Sequence, residues 1–267
     1  MLDFNVDTGK LAVFSKRLSP ASESEFIEQL YVDIDSVIKK MEESSDKYYS
    51  DDEDKLSHSI VTSLGNLGYE ATEQTKKNGT VDITVISENK KYKWIAEAKI
   101  GYGNTKILEG VYQLVSRYVK RDEHAGLIIY YQKSGSASCF DKWLKFLYNQ
   151  EWLEYSQNQG NDKETTAMLG HLDMANYTPT KQSYSDVVIK KPSDAMITVR
   201  NFYADFYHNP IDKSGVKNKS LKKGVAKNNI RQYCQDWVDG TFPISQVDQL
   251  FTELKLFLGE SFDPDDE

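Results

Sequence analysis

The chain of 267 residues has few cysteines and no long apolar run. Its two cysteines, Cys139 and Cys234, lie far apart, and neither has a cysteine or histidine nearby at metal-ligand spacing. This argues against a disulfide framework and a structural zinc site. No stretch approaches the roughly 18 apolar residues that a membrane span requires, and residues 1–19 lack the apolar region of a secretory signal. We therefore expect a cytoplasmic protein without a membrane partner.

The sequence also lacks the signatures of several enzyme classes. It contains no nucleophile-plus-base motif for Ser or Cys, no Walker A loop and no G-x-G-x-x-G. The formal charge of −8, from 33 basic and 41 acidic residues, argues against a protein that coats polyanions by bulk charge. The charge is uneven, because residues 212–231 hold seven basic residues and one acidic, whereas 259–267 hold five acidic and none basic. A basic segment and an acidic tail are thus present.

Apolar spacing predicts the order of the elements. Helices are expected at 22–41, 52–67, 104–120, 140–149 and 244–258, and strands at 69–74, 81–87, 91–100 and 125–132. This order predicts an α/β fold with a mixed central sheet flanked by helices. We divide the chain into an N-terminal helical addition at 1–50, a core at 51–155, and a C-terminal region at 156–267. That last region carries the basic segment, an amphipathic helix and the acidic tail.

The tripeptide Glu-x-Lys occurs four times, and its setting singles out one copy. The copies begin at Glu53, Glu88, Glu97 and Glu253. Only Glu97-Ala98-Lys99 lies in an apolar strand, KWIAEAKI. Because side chains alternate along a strand, Glu97 and Lys99 point to the same face.

Asp82 interrupts a second apolar strand fifteen residues earlier, so hairpin-like pairing would bring its carboxylate beside Glu97. Charges in a sheet interior are costly unless they are paired or bind a metal. A divalent cation is the simplest reason to tolerate two neighbouring carboxylates. The alternative is a surface hairpin with ordinary solvated charges.

This arrangement resembles the PD-(D/E)XK nuclease superfamily, which has the restriction-endonuclease-like fold, over about residues 52–132. The resemblance implies a restriction-endonuclease-like core, with Asp82 and Glu97 as ligands of Mg²⁺ (or Mn²⁺) and the Ala98 carbonyl completing the set. It also implies that Lys99 orients the attacking water. The family's first motif carries Pro before Asp, where this chain has Val81.

Two further positions fit the resemblance. Glu53 shares a helical face with Leu56 and Ile60, as the family's helix-borne Glu does, although a first helical turn favours acidic residues anyway. Gln113 resembles the glutamine that follows the Glu-x-Lys strand in RecB-like members. Those members place Tyr four residues later, where this chain has Arg117, and a solvated polar helix face is the competing interpretation of Gln113.

The basic segment is expected to contact phosphates, or else to be a mobile, solvated loop. The lysines assigned to nucleic-acid binding are Lys217, Lys219, Lys222, Lys223 and Lys227.

The leading hypothesis is a Mg²⁺-dependent endonuclease that cuts DNA in preference to RNA. By analogy it would serve as a prokaryotic restriction or anti-phage defence effector. It would act as a homo-oligomer or with a partner subunit of a defence complex. The alternatives are a catalytically inactive nuclease-fold module that binds nucleic acid or a partner protein, and an unrelated interaction module with a chance motif.

Overall fold

The computed structural model describes residues 8–76 and 79–259. The strands are β1 (Glu70–Lys76), β2 (Thr80–Ile86), β3 (Lys93–Ile100), β4 (His124–Tyr131), β5 (Tyr184–Lys190) and β6 (Met196–Asp205). The α-helices are α1 (Thr8–Leu18), α2 (Glu23–Glu42), α3 (Glu53–Asn66), α4 (Asn104–Gln113), α5 (Ser136–Tyr148), α6 (Trp152–Gln159), α7 (Asp162–Leu169), α8 (Lys213–Lys217), α9 (Lys219–Val238) and α10 (Val247–Leu258). No helix in these ranges is long and apolar enough to cross a membrane.

All six of these strands form one mixed sheet in the order β1-β2-β3-β4-β6-β5. The first three are antiparallel neighbours, β3, β4 and β6 run parallel, and β5 pairs antiparallel with β6 at the edge. The expected α/β class with a mixed sheet flanked by helices is therefore confirmed. Two strands, β5 and β6, come from the region that the sequence separated as C-terminal, so the sheet extends beyond 51–155.

Helices cover both faces of the sheet and create two apolar cores. On one face α4, α5, α6 and α7 pack around Ile95, Leu127 and Ile129. On the other face α2 and α3 pack around Trp94, Ala98 and other sheet residues. The central strands β3 and β4 are buried on both faces, as expected for continuous apolar runs.

Most predicted elements form close to their predicted bounds. Helix α2 begins after Ser22, whose side chain accepts the hydrogen bond of Glu25 N, as a capping box requires. The helix predicted at 104–120 instead divides into α4 and a π-helical turn, Leu114–Tyr118. The basic segment is not a loop, because α8 and α9 occupy it. The acidic tail, residues 259–267, lies outside the described residues except for Gly259.

Candidate functional site

Strand β3 supplies two buried charged side chains to one face of the sheet. Glu97 is 1% exposed and Lys99 is 5% exposed. In the parallel ladder with β4, Glu97 lies opposite Leu127 and Lys99 opposite Ile129. Both charges therefore lie inside the sheet, which makes their local partners decisive for stability.

The second acidic side chain reaches β3 because β2 and β3 stop pairing at this point. Their last paired residues are Ile83 and Ala96, so Asp82 stands one step further, level with Glu97. Asp82 Oδ2 accepts a hydrogen bond from Ala98 N at 2.9 Å. A carboxylate thus replaces the missing strand partner of a backbone N–H.

Glu53 likewise accepts a backbone hydrogen bond, two residues further along β3. It is the first residue of α3, whose N-cap Asp52 accepts from Lys55 N. Its Oε2 accepts a hydrogen bond from Ile100 N at 3.1 Å. The inward helical face expected for Glu53 is present, since Leu56 on that face is fully buried.

The Lys99 ammonium lies among all three carboxylates. Its Nζ is 3.2 Å from Glu53 Oε1, 3.5 Å from Asp82 Oδ2 and 3.1 Å from Glu97 Oε2. It also donates to the Ala98 carbonyl at 2.7 Å. Hence the residues predicted as a metal and water site come together with Glu53. With all four side chains ionised, three negative charges and one positive leave a formal charge of −2.

The electrostatics of the cluster follow from this imbalance. Burial first, and the Asp82 carboxylate second, raise the pKa of Glu97 to about 8. Burial also raises the pKa of Glu53, against the opposing effect of Lys99. For Lys99, burial alone would lower the pKa, but the Glu53, Asp82 and Glu97 carboxylates outweigh it and raise the pKa. In the free chain, the surroundings of Glu97 therefore favour its protonated form.

The donor set fits a hard divalent cation in type and charge. Carboxylate and carbonyl oxygens are the ligands that Mg²⁺ and Mn²⁺ take. Glu97 Oε1 is buried and has no hydrogen-bond partner in the described chain, so one oxygen is free for a ligand. Within residues 8–76 and 79–259, no group of three or more His, Cys, Asp or Glu side chains is placed so that it could hold a metal ion. In the cluster, the Lys99 ammonium lies between the carboxylates. The predicted ligands Asp82, Glu97 and the Ala98 carbonyl are thus adjacent to one another.

No family model, no curated protein and no solved structure matches this chain. The nuclease resemblance therefore depends on the residues and the geometry described above.

Gly110 is a site residue that the sequence analysis missed. A Cβ atom placed there would lie 3.0 Å from Lys99 Cγ and 3.1 Å from Lys99 Cε. The absence of a side chain on α4 therefore gives the lysine stem its room. An isolated glycine inside a helical pattern was the available signal, because such a glycine usually has a packing or functional reason.

Gln113 is half-buried at the end of α4, and no described hydrogen bond joins it to the carboxylates. The π-helical turn that follows bonds Val119 N to the Leu114 carbonyl, which inserts one residue relative to an α-helix. Because of this extra residue, the residue five positions after Gln113 occupies the helical position that the residue four positions after it would occupy in an α-helix. That residue is Tyr118, which is 7% exposed and donates to the Thr80 carbonyl at 2.9 Å.

The basic segment places one of its predicted lysines, Lys227, near the cluster and the others in solvent. Lys227 Nζ donates to the Ser50 carbonyl at 3.1 Å, just before α3. Gln232, further along α9, donates to the Tyr102 carbonyl at 2.6 Å, just after β3. Helix α9 therefore crosses the loops on both sides of the carboxylates. The other predicted lysines are exposed: Lys217, Lys219, Lys222 and Lys223.

Arg231 is a second residue that the sequence analysis did not assign. It lies one helical turn after Lys227, and its Nη1 is buried without a hydrogen-bond partner among the described residues. Burial raises the pKa of the Tyr102 hydroxyl, beside the end of β3, and the positive charge of Arg231 opposes that rise. An unpaired guanidinium nitrogen is a strong donor for a phosphate oxygen.

Proposed function

We propose that this chain is a divalent-metal-dependent nuclease of the PD-(D/E)XK type that hydrolyses phosphodiester bonds, with DNA preferred to RNA. The observation that carries the proposal is the convergence of Asp82, Glu97, Glu53 and Lys99 where β2 and β3 separate. Three carboxylates around one ammonium are not needed to stabilise a sheet, since apolar residues would serve better. The mixed sheet with helices on both faces is compatible with a restriction-endonuclease-like core.

Each group has a defined task in this proposal. The carboxylates of Asp82 and Glu97, with the Ala98 carbonyl, would hold Mg²⁺ or Mn²⁺. Such an ion, when bound, lowers the pKa of water and neutralises phosphate oxygens. Glu97 would release the proton that its raised pKa retains in the free protein. Lys99 would then be free to donate a hydrogen bond to the attacking water, while Glu53 would keep holding Ile100 N.

Substrate contact would come from α9. Lys227 and Arg231 lie on one side of this helix, near the loops that flank the carboxylates. Lys222 and Lys223 extend the positive charge into solvent. Contacts with the phosphate backbone carry no sequence information, so these side chains would bind nucleic acid of any sequence. A role in prokaryotic restriction or anti-phage defence, alone or within a complex, is part of the proposal by analogy.

The test is hydrolysis of plasmid, single-stranded DNA and RNA in Mg²⁺, in Mn²⁺ and in EDTA. We expect metal-dependent cutting that Asp82→Asn and Lys99→Met each reduce at least a hundredfold. Asp54→Asn and Lys255→Met are matched controls, because both side chains are exposed and no described hydrogen bond or ion pair joins either to the cluster. Cutting that survives Asp82→Asn and Lys99→Met would refute the site.

Calorimetric titration with Mn²⁺ separates the inactive module from the enzyme. An active nuclease binds Mn²⁺ and cuts, and Asp82→Asn weakens both. A protein that binds Mn²⁺ and nucleic acid without cutting any substrate is the inactive module. A protein that binds neither Mn²⁺ nor nucleic acid overturns the whole assignment.

A further inference from the structure

A cavity of about 570 Å³ lies at the end of the sheet where β4 and β6 begin. Its lining includes Lys120, Arg121, His124, Lys191 and Thr198. Three of these side chains are cationic, and Glu123 is the one acidic side chain in the lining, so the formal charge is +2. None of these residues belongs to the carboxylate cluster. A cavity of this volume is typical of sites for small molecules.

Lys191 is the most unusual member of the lining. It is 5% exposed, yet it forms no ion pair within the described ranges. The nearby Asp122 carboxylate pairs with Lys93 instead, at 3.0 Å. Lys191 Nζ donates to the Lys120 and Asp122 carbonyls at 3.1 and 2.8 Å. An ammonium has three N–H donors, so one remains for a ligand.

A second buried polar atom in the same lining also lacks a partner. His124 Nδ1 is buried and forms no hydrogen bond with any described residue. Buried polar groups are almost always hydrogen-bonded, so this nitrogen of a lining residue is available for a hydrogen bond to water or to a ligand. Arg121 and Lys120 are exposed at the same cavity and add positive charge. The unmet groups are a cation without a counter-ion and an imidazole nitrogen.

We propose that this cavity binds a small phosphorylated molecule, with its phosphate against Lys191 and His124 and the Arg121 guanidinium at the rim. A phosphate supplies both missing partners, because it brings negative charge to the buried ammonium and oxygen acceptors to the N–H groups. The volume accommodates a mononucleotide or a pyrophosphate. This site is independent of the proposed nuclease reaction.

The test is calorimetric titration of the full chain with pyrophosphate and with ATP in EDTA, at fixed ionic strength. We expect saturable binding that Arg121→Gln weakens about tenfold, as the loss of one charge-assisted contact does. Lys191→Met is expected to abolish binding. Because Lys191 also holds two carbonyls, circular dichroism must show that this variant folds, and Arg121→Gln on the exposed rim tests the site if it does not.

Lys142→Gln, at an exposed lysine of α5, is the matched control and is expected to bind as the unmodified chain does. Pyrophosphate binding that falls in Lys222→Gln but not in Arg121→Gln would place the anion on α9 and overturn the proposal. The proposal also fails if neither pyrophosphate nor ATP binds. It fails as well if sodium sulfate at equal ionic strength competes fully with pyrophosphate, because that competition indicates an unspecific anion effect.

Discussion

Replacing Glu97 by glutamine tests the electrostatics of the carboxylate cluster directly. The substitution keeps the shape of the side chain but removes its ionisation. In the folded chain, burial and Asp82 raise the pKa of Glu97 from an ordinary 4.5 to about 8. The folded state therefore retains a proton that the unfolded state loses, and the free energy of unfolding must fall as pH rises between these values.

The size of the effect follows from the same displacement. One pKa unit corresponds to about 1.36 kcal/mol, so the full loss between pH 4.5 and 8 is up to roughly 5 kcal/mol, of which about 3 kcal/mol has occurred by pH 7. Glu97→Gln does not titrate, and it should lack this loss. Relative to the unmodified chain, the variant is expected to gain a few kcal/mol of stability between pH 5 and pH 8.

The assay is guanidinium unfolding of both proteins in EDTA at pH 5, 6.5 and 8. Taking the difference between the proteins cancels the titration of groups outside the cluster. Glu154→Gln, an exposed substitution of the same chemistry on α6, should follow the unmodified chain at every pH. Parallel pH dependence of Glu97→Gln and the unmodified chain would refute the reasoning, because Glu97 would then have the same pKa in the folded and unfolded states. Adding Mg²⁺ should reduce the loss in the unmodified chain.

Two further predictions concern the surroundings of the cluster. In Gly110→Ala, the new Cβ would displace the Lys99 stem by a few tenths of an ångström, while alanine favours the helix by roughly 0.5–1 kcal/mol. Nuclease kcat should therefore fall at least tenfold, and the free energy of unfolding should change by less than about 1 kcal/mol. An unchanged kcat would contradict the role of Gly110 in positioning Lys99. In Lys227→Gln, loss of a phosphate contact should reduce the slope of log affinity against log salt for duplex DNA by about one, measured by fluorescence anisotropy, and an unaltered slope would show that Lys227 does not contact the backbone.

Local pattern was sufficient for the central elements of the fold. The burial of KWIAEAKI on both faces, the capping of α3 by Asp52 and the alternation of Glu97 and Lys99 all follow from neighbours in sequence. The approach of Asp82 to Glu97 also required only a short hairpin. These features involve residues less than twenty positions apart.

Longer-range packing could not be predicted in the same way. The segment 196–208, MITVRNFYADFYH, has the composition of a strand and contains β6, but its sequence does not place β6 beside β4, and β5 was not predicted. Glu53 contacts Lys99, which lies 46 positions away in the sequence. The helical face that Glu53 shares with Leu56 suggested this contact but did not establish it. Gly110 and Arg231 gained their meaning only from the side chains that they face. The extra residue of the π-helical turn has no periodic signature in the sequence. Judged from the sequence alone, Tyr118 therefore lies one position beyond the place, four residues after Gln113, where RecB-like members have Tyr.

The contacts of α9 with the loop before α3 have a consequence for the order in which the molecule is completed. Lys227 bonds to Ser50 across 177 positions, and Asn228 bonds to Tyr49 across 179. During synthesis, the strands that carry Asp82 and Glu97 leave the ribosome long before these partners exist. Gln132 already bonds to the Tyr48 and Asp51 carbonyls of this loop, but the two contacts from α9 can form only after residues 227 and 228 have emerged. A growing chain would thus carry Asp82, Glu97 and Lys99 before Lys227 and Asn228 complete the contacts of the loop that precedes Glu53.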